Sequence, residues 1–296
     1  MAANASALIV EEDVFDASGG RWKAAWKRYK RNKLAVFSLG FAILLVIVAV
    51  FAPLIAPYAV DETDYALKRA GLFTEGHILG TDQLGRDVFS RMVFSVRTAL
   101  IIAIGAEFVA LALAIVVGLI AGYMEGKVDD LLMAATDILY VFPSYLLMII
   151  LVTSFGRSPL VIFVAIGISS WVGVARLVRA EVLRLKNQEF VEAGRAMGAG
   201  GFTIAWRYIM PNAWGPLLVS LSFGIPAAIM AESGLALLGL GVQPPTPSWG
   251  TMIQDGLQWV LVSPHLILSP VLLFTFTMLA FTWIGDGLRD AFDAQE

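Results

Sequence analysis

The sequence predicts an all-α protein that crosses a membrane several times. Of its 296 residues, 58% are hydrophobic and 15% are charged, whereas soluble domains carry about 25% charged residues. Residues 34–60 and 256–285 contain no charged side chain, and about 20 apolar residues suffice for a helix to cross a bilayer. These runs do not alternate apolar and polar positions as β-barrel strands do. The fold class we expect is therefore an all-α polytopic membrane protein with six transmembrane helices.

The six predicted spans cover roughly residues 34–56, 95–123, 131–155, 160–182, 214–241 and 265–288. Basic residues orient these spans, because cytoplasmic loops carry an excess of Lys and Arg. Seven Lys/Arg lie in 21–33 and six in 176–207; with Lys127 and Arg289 they make 15 of the 21. If the N-terminus is cytoplasmic, all 15 lie inside. We therefore expect a multi-pass protein of the cell (inner or plasma) membrane with both termini cytoplasmic.

The N-terminal part divides into two pieces ahead of the spans. Residues 1–20 are small, polar and acidic, and they predict a disordered tail. Residues 21–33 read RWKAAWKRYKRNK, in which Trp22, Trp26 and Tyr29 share one helix face. This pattern is typical of a basic helix lying at the membrane interface with lipid as its partner and no nucleic acid; a plain stop-transfer flank is the alternative. The six spans occupy 34–293.

A polar, Gly-rich loop at residues 183–213 separates the fourth and fifth spans. Acidic residues at the start of 189–197 suit the positive end of a short helix, and the glycines from Gly198 onward end it. A second helix is expected to begin at 202–209, and Pro211 is expected to break the chain before the fifth span. A folded polar loop in such an apolar chain indicates a docking surface for another protein.

This loop resembles the "EAA" segment of permease subunits of ATP-binding-cassette (ABC) importers. The family pattern is Glu-Ala-Ala, three residues, Gly, nine residues, then Ile-x-Leu-Pro. The chain departs from it at Gly194 in place of the second Ala, at Tyr208 in place of Ile, and at Met210 in place of Leu. The resemblance implies that the loop couples the chain to an ATPase through Glu189, Glu192, Ala193, Gly194, Gly198, Ile209 and Pro211.

Three further segments narrow the resemblance. LGTDQLGRDVFSRM (79–92), GLGVQPPTPSWGTMI (239–253) and IGDGLRDAFD (284–293) are similar to segments of the dipeptide/oligopeptide permease family, in its shorter "C" subunit. The resemblance implies the type I importer fold and half of a translocation path for di- or oligopeptides. It also implies three kinds of partner: a second homologous permease subunit, two ATPase subunits and an extracytoplasmic solute-binding protein. Glutathione, nickel chelates and oligosaccharides remain alternative solutes.

No feature of the sequence predicts an enzyme. The phosphate-binding pattern G-x-x-x-x-G-K-[ST] is absent, because Gly126-Lys127 is followed by Val128 and Ala121 stands at the first Gly position. ATP and magnesium are therefore expected on the partner ATPases, and this chain is expected to hold no cofactor, no metal and no catalytic residue. An ion-coupled secondary transporter is a less favoured alternative, because its buried charges would be paired rather than scattered.

Several polar residues in or between the spans are further candidates. Glu107 and Glu232 lie within apolar runs, where a carboxylate is costly, and we expect each to face the translocation path or a subunit interface. Asp137 is expected to form a structural cap or pair. The long outer segments 61–95 and 242–264 are predicted to meet the binding protein, with Trp259 at the membrane boundary and with candidate contacts at Thr81, Asp82, Arg86, Asp87, Pro245 and Trp249.

Overall fold

The computed structural model describes residue 20 and residues 22–293, so the predicted tail at 1–20 lies outside the described residues except for Gly20. The described part contains no strand longer than an isolated bridge. Its helices are α1 (residues 22–29), α2 (Lys33–Val50), α3 (Ala52–Ile55), α4 (Val88–Met124), α5 (Gly126–Val141), α6 (Ser144–Phe155), α7 (Pro159–Leu185), α8 (Glu189–Ala196), α9 (Gly201–Thr203), α10 (Met210–Leu237), α11 (Trp249–Leu257) and α12 (His265–Asp293).

Five helical segments are long and apolar enough to cross a membrane, and a bent pair of helices raises the total to six among the described residues. The all-α, multi-span prediction is thus confirmed. The second span is longer than expected, since α4 contains 37 residues and begins at Val88. It begins there because the Asp87 carboxylate accepts a hydrogen bond from the Ser90 backbone N–H at 2.7 Å and caps the helix.

The third predicted span is the bent pair, α5 and α6, whose axes differ by 83°. The bend lies at Pro143. Phe142 before it has extended backbone angles (φ −72°, ψ 131°), as expected for a residue that precedes proline. Arg179 of α7 holds α5 through two hydrogen bonds to Asp129, at 2.6 and 2.5 Å. The structural pairing predicted for Asp137 is confirmed, because Arg176 contacts it at 2.6 Å.

Helices α4 and α7 pack closely through small residues. A Cβ on Gly118 would lie 2.5 Å from the Ala175 carbonyl oxygen, and one on Gly122 would lie 2.8 Å from Val182 Cβ. The spacing of these glycines is the small-xxx-small arrangement that lets membrane helices approach closely.

Two ends of the molecule are named by the short helices that lie there. The α8 end consists of α1, α8 and the last turns of α12. The α11 end consists of residues 58–87 and α11.

Helix α1 packs against the last turns of α12. Tyr29 is buried and donates a hydrogen bond to the Ala35 carbonyl oxygen at 3.0 Å. The ring of Trp22 meets Phe292 edge-on, with centroids 5.3 Å apart, while Trp26 remains exposed. The position predicted for 21–33 at the membrane interface remains a prediction.

The predicted chain break at Pro211 is wrong. Residues 201–237 form one unbroken helical segment, in which Ile204–Ile209 is a π-helical turn followed directly by α10. Proline has no N–H to donate. A π-turn shifts the hydrogen-bond pattern by one residue, and so the helix can pass through Pro211. The last part of the polar loop, from Gly201 onward, consequently continues into the fifth span as one helical segment.

The native chain has no cysteine, which allows single-cysteine labelling of its two ends. Glu75 and Gln243 are exposed at the α11 end, and Asn187 is exposed at the α8 end. With the orientation that the basic residues predict, Glu75→Cys and Gln243→Cys should react in intact cells with a membrane-impermeant maleimide, and Asn187→Cys should react only after the membrane is opened. The reverse pattern would contradict the predicted topology.

Candidate functional site

Helix α8 is an amphipathic helix seated on the rest of the chain. Val191 and Gly194 are buried beneath it, whereas Glu189, Glu192 and Ala193 are exposed. The two glutamates stand in the first turn, where the helix dipole favours negative charge. The predicted short helix is confirmed, and the side chains of three of its candidate residues are exposed.

The end of α8 depends on the conformation of Gly198. This residue has φ +85°, a region that side chains with a Cβ rarely adopt. Its N–H donates to the Arg195 carbonyl oxygen at 2.9 Å, and the N–H of Ala199 donates to the Gly194 carbonyl oxygen at 3.1 Å. These two bonds form a Schellman motif. A Cβ on Gly198 would meet no atom within 4 Å, so the requirement for glycine comes from the backbone alone.

Two departures from the family pattern contact each other. The ring of Tyr208, on the π-helical turn, lies over Gly194, where an added Cβ would stand 3.0 Å from Tyr208 Cε1. A larger side chain on one helix is therefore accommodated by a smaller residue on the other. The two departures preserve the contact between α8 and the helix that leads into the fifth span.

Gly194 and Ile209 do not belong to the exposed docking face. Ile209 is fully buried in the cluster that also holds Val191 and Ile204, so both residues position α8 instead of contacting a partner. Pro211 is exposed at the start of α10. Three exposed apolar side chains near α8 were not predicted, with exposed fractions of 43%, 81% and 52%: Met197, Phe202 and Trp206. Their large size within a polar loop is the signal that could have revealed them.

An open groove runs beside α8. Its volume is about 740 Å³, and it lies between the ends of α1, α7, α10 and α12. Aromatic side chains line much of it, with Arg184 and Glu181 at one wall; the aromatic residues are Trp22, Phe190, Phe223 and Phe292. The α8 end therefore offers both a projecting helix and a neighbouring concave surface.

At the α11 end, four candidate contact residues are buried, which corrects their predicted role. Asp82 accepts hydrogen bonds from the Arg86 backbone N–H at 3.0 Å and from Arg86 Nε at 2.6 Å. Asp87 caps α4 and lies 2.9 Å from His77 Nδ1. The Thr81 hydroxyl donates to the Leu67 carbonyl oxygen. These side chains satisfy the polar groups of a tightly folded loop and are not available to a partner.

Trp249 corrects the prediction in the same way. It is fully buried, and its ring meets Phe274 of α12 edge-on at 6.4 Å; it is therefore a core residue rather than an outer contact. Pro245 is exposed, as the prediction requires. The apolar side chains that the α11 end exposes include Tyr65, Leu72, Phe73, Ile78, Leu84 and Leu257.

The two carboxylates within the spans are both buried inside this chain. Glu107 of α4 faces Gly224 of α10 so closely that a Cβ on Gly224 would lie 2.3 Å from its carboxyl carbon. Glu232 is 2% exposed and lies against α11. Neither side chain faces an open path or an outer surface, so the predicted roles in a path or subunit interface are not supported. Small residues opposite each carboxylate make room for it.

Within the described residues, no three His, Asp or Glu side chains are grouped closely enough to hold a metal ion. The charged residues nearest α8 form pairs. Arg184 bonds to Glu181 at 2.6 Å, and Lys186 contacts Glu125 and the Gly122 carbonyl oxygen. The exposed side chains and the neighbouring groove make the α8 end suited to holding a protein partner.

Comparisons with known proteins agree with this geometry. Residues 114–295 match the family described as "Binding-protein-dependent transport system inner membrane component", and residues 20–72 match the "N-terminal TM domain of oligopeptide transport permease C". The chain is 40% identical over 276 residues to the oligopeptide transport system permease protein OppC of Haemophilus influenzae, covering 93% of this chain and 89% of that protein.

Two other relatives carry different solute names. The dipeptide transport system permease protein DppC of Bacillus subtilis is 38% identical, with 91% of this chain and 84% of that protein covered. The glutathione transport system permease protein GsiD of Pectobacterium atrosepticum is also 38% identical, with 92% and 90% covered.

A solved structure of the MetNI methionine ABC transporter, described as inward facing, superposes with a TM-score of 0.56. The superposition covers 68% of this chain and 96% of that chain, with 16% of the residues identical. This likeness supports the importer permease fold. The family matches and the relatives together show that the chain is a binding-protein-dependent transport system inner membrane component, a C-type permease of the oligopeptide and dipeptide branch of ABC importers.

Proposed function

We propose that this permease imports di- or oligopeptides, forming half of a translocation path with a second, homologous permease subunit. Relatives named for oligopeptide and dipeptide transport support this solute class, and the relative named for glutathione supports the alternative. The solute enters from the side of the α11 end, where a solute-binding protein delivers it. ATP hydrolysis by two partner ATPases drives the cycle.

The observation that carries this proposal is the attachment of α8 to the fifth span. Tyr208 and Ile209 pack against the buried face of α8, and both belong to the unbroken helical segment 201–237. An ATPase that moves α8 therefore displaces the start of this helical segment, because the two are packed together. We assign ATPase docking to Glu189, Glu192 and Ala193, together with the exposed Met197, Phe202 and Trp206.

Other surfaces are assigned to the remaining partners. The exposed apolar residues of the α11 end, centred on Phe73 and Pro245, are proposed to contact the binding protein. The second permease subunit would cover part of the apolar surface that α5 and α6 leave exposed. Both termini are proposed to lie in the cytoplasm of a cell whose inner membrane holds the complex, with α1 on its lipid surface.

Uptake by reconstituted vesicles tests the proposed function. Vesicles should contain this chain with the second permease and the ATPases that purify with it, and labelled peptide should be supplied outside. We expect uptake to require both internal ATP and external binding protein, because a type I importer receives solute only from that protein. ADP in place of ATP is the control. Uptake that persists without the binding protein would contradict the proposal.

The backbone requirement at Gly198 gives a matched pair of variants. Gly198→Ala forces a Cβ into a left-handed conformation and should cost roughly 1–2 kcal/mol locally. Gly200→Ala adds the same methyl group at extended backbone angles with no atom within 4 Å, and it should be tolerated. We expect lower transport and lower ATPase co-purification for Gly198→Ala only, with partial recovery in Gly198→Asn, since Asn tolerates this conformation better. Equal behaviour of the two alanine variants would argue that α8 needs no defined end.

The contact between Gly194 and Tyr208 predicts a coupled pair. Gly194→Ala pushes a methyl group towards the Tyr208 ring, whereas the same change beside a smaller side chain has room. We therefore expect Gly194→Ala to be better tolerated in the Tyr208→Ile background than alone, with a coupling energy of roughly 0.5–3 kcal/mol. A double-mutant cycle on thermal stability of the purified complex measures it. Additive single effects would show that the contact has no energetic role.

A further inference from the structure

The outer end of α10 is in direct backbone contact with α11. A Cβ on Gly250 would lie 2.6 Å from Ser233 Cα and 2.7 Å from Ala236 Cβ, so nothing larger than glycine fits between the two helices. Helix α11 also reaches its other neighbours through Trp249, which meets Phe274 of α12, and through Met252, which joins a cluster at the start of α4. It thus connects three of the spanning helices at the α11 end.

Glu232 projects from α10 into this contact. Its Oε2 lies 3.2 Å from the position that a Gly250 Cβ would occupy, and the Ser248 hydroxyl lies beside it. Ser248 is the N-cap of α11, where its hydroxyl accepts from the Thr251 N–H at 3.2 Å. The first turn of a helix has unpaired N–H groups and a partial positive charge. A side-chain oxygen from α10, which both Glu and Gln supply, is therefore suited to accept from these groups and to hold this turn.

The same helical segment joins this contact to α8. Glu232 and Tyr208 are 24 positions apart on the unbroken helical segment 201–237, which corresponds to about 36 Å along the axis. Tyr208 touches α8 at Gly194. One continuous helical segment, which includes Pro216 and Pro226, consequently contacts α11 near its outer end and α8 near its inner end.

We propose that Glu232 is a positioning residue that fastens α11 to α10, so that a force applied at the α11 end reaches α8 through one helix. The inference rests on the proposed function, because the force is supplied by the loaded binding protein and is read out by the ATPases. Coupling of this kind is a free energy shared between two sites, and Glu232 supplies its outer attachment point without touching solute.

The test measures ATP hydrolysis by the reconstituted complex with and without peptide-loaded binding protein. Glu232→Gln keeps the size and hydrogen-bonding capacity of the side chain, while Glu232→Leu keeps a similar size and removes both oxygens. Stimulation by the binding protein should survive in Glu232→Gln and fall at least about fivefold in Glu232→Leu. Glu107→Gln, in the other buried carboxylate, is the matched control because Glu107 faces Gly224 and not α11; its stimulation should remain.

A second measurement follows the contact itself. Leu237 and Leu257 are both 49% exposed, and spin labels on cysteines at these positions report the distance between the end of α10 and the end of α11. The distance distribution should be narrow in the native background and in Glu232→Gln, and broad in Glu232→Leu. If Glu232→Leu does not assemble, Gly250→Ala disturbs the same contact from the α11 side and should produce the same broadening and the same loss of stimulation.

The possible outcomes separate this inference from the proposed function. Normal stimulation in Glu232→Leu would overturn the inference, and lowered thermal stability with normal stimulation would show that Glu232 only packs. A native complex that the binding protein does not stimulate would contradict the proposed function. In that case the spin-label distances decide whether Glu232 fastens α11, since a narrow distribution in Glu232→Leu would reject the attachment as well.

Discussion

Close approach of helix backbones is the constraint on which this structure depends. Within a bilayer the hydrophobic effect does not drive apolar helices together, so association rests on packing and on a small number of polar contacts. Gly118 and Gly122 bring α4 against α7, and Gly250 brings α11 against α10. Where a larger polar group enters such a contact, as with Glu107, a glycine on the opposite helix makes room for it. The positions of the glycines therefore determine which helices move together.

The sequence predicted those features that depend on local chemistry. Long apolar runs predicted the spans, the acidic first turn predicted α8, and the glycines from Gly198 onward predicted its end. What it did not predict depends on how distant residues meet. Asp87 extended α4 by capping it from a loop, and the π-turn that carries the helix through Pro211 requires knowledge of the packing on both sides.

The prediction that charged residues of the α11 end contact a partner was wrong for the same reason. Asp82, Arg86 and Asp87 look like surface residues because they are charged and lie in a loop between spans. A tightly folded loop must satisfy its backbone N–H groups. The Asp82 and Asp87 carboxylates accept from such groups, and the Arg86 side chain donates to Asp82. Tyr208 shows the opposite case. Taken alone, Tyr208 weakens the match to the family pattern. Its ring, however, packs over Gly194, so the larger side chain and the smaller one fit together.

The equal length of two helical segments has a mechanical consequence. Helix α4 and the segment 201–237 each contain 37 residues, about 55 Å of helix, which exceeds a hydrocarbon core of about 30 Å. Each helix is therefore a lever whose arms extend beyond the bilayer on one or both sides. A lever of this length that tilts by about 10° around its middle displaces each tip by roughly 5 Å. Small rotations inside the membrane thus become displacements as large as a side chain at the surfaces proposed for partner proteins.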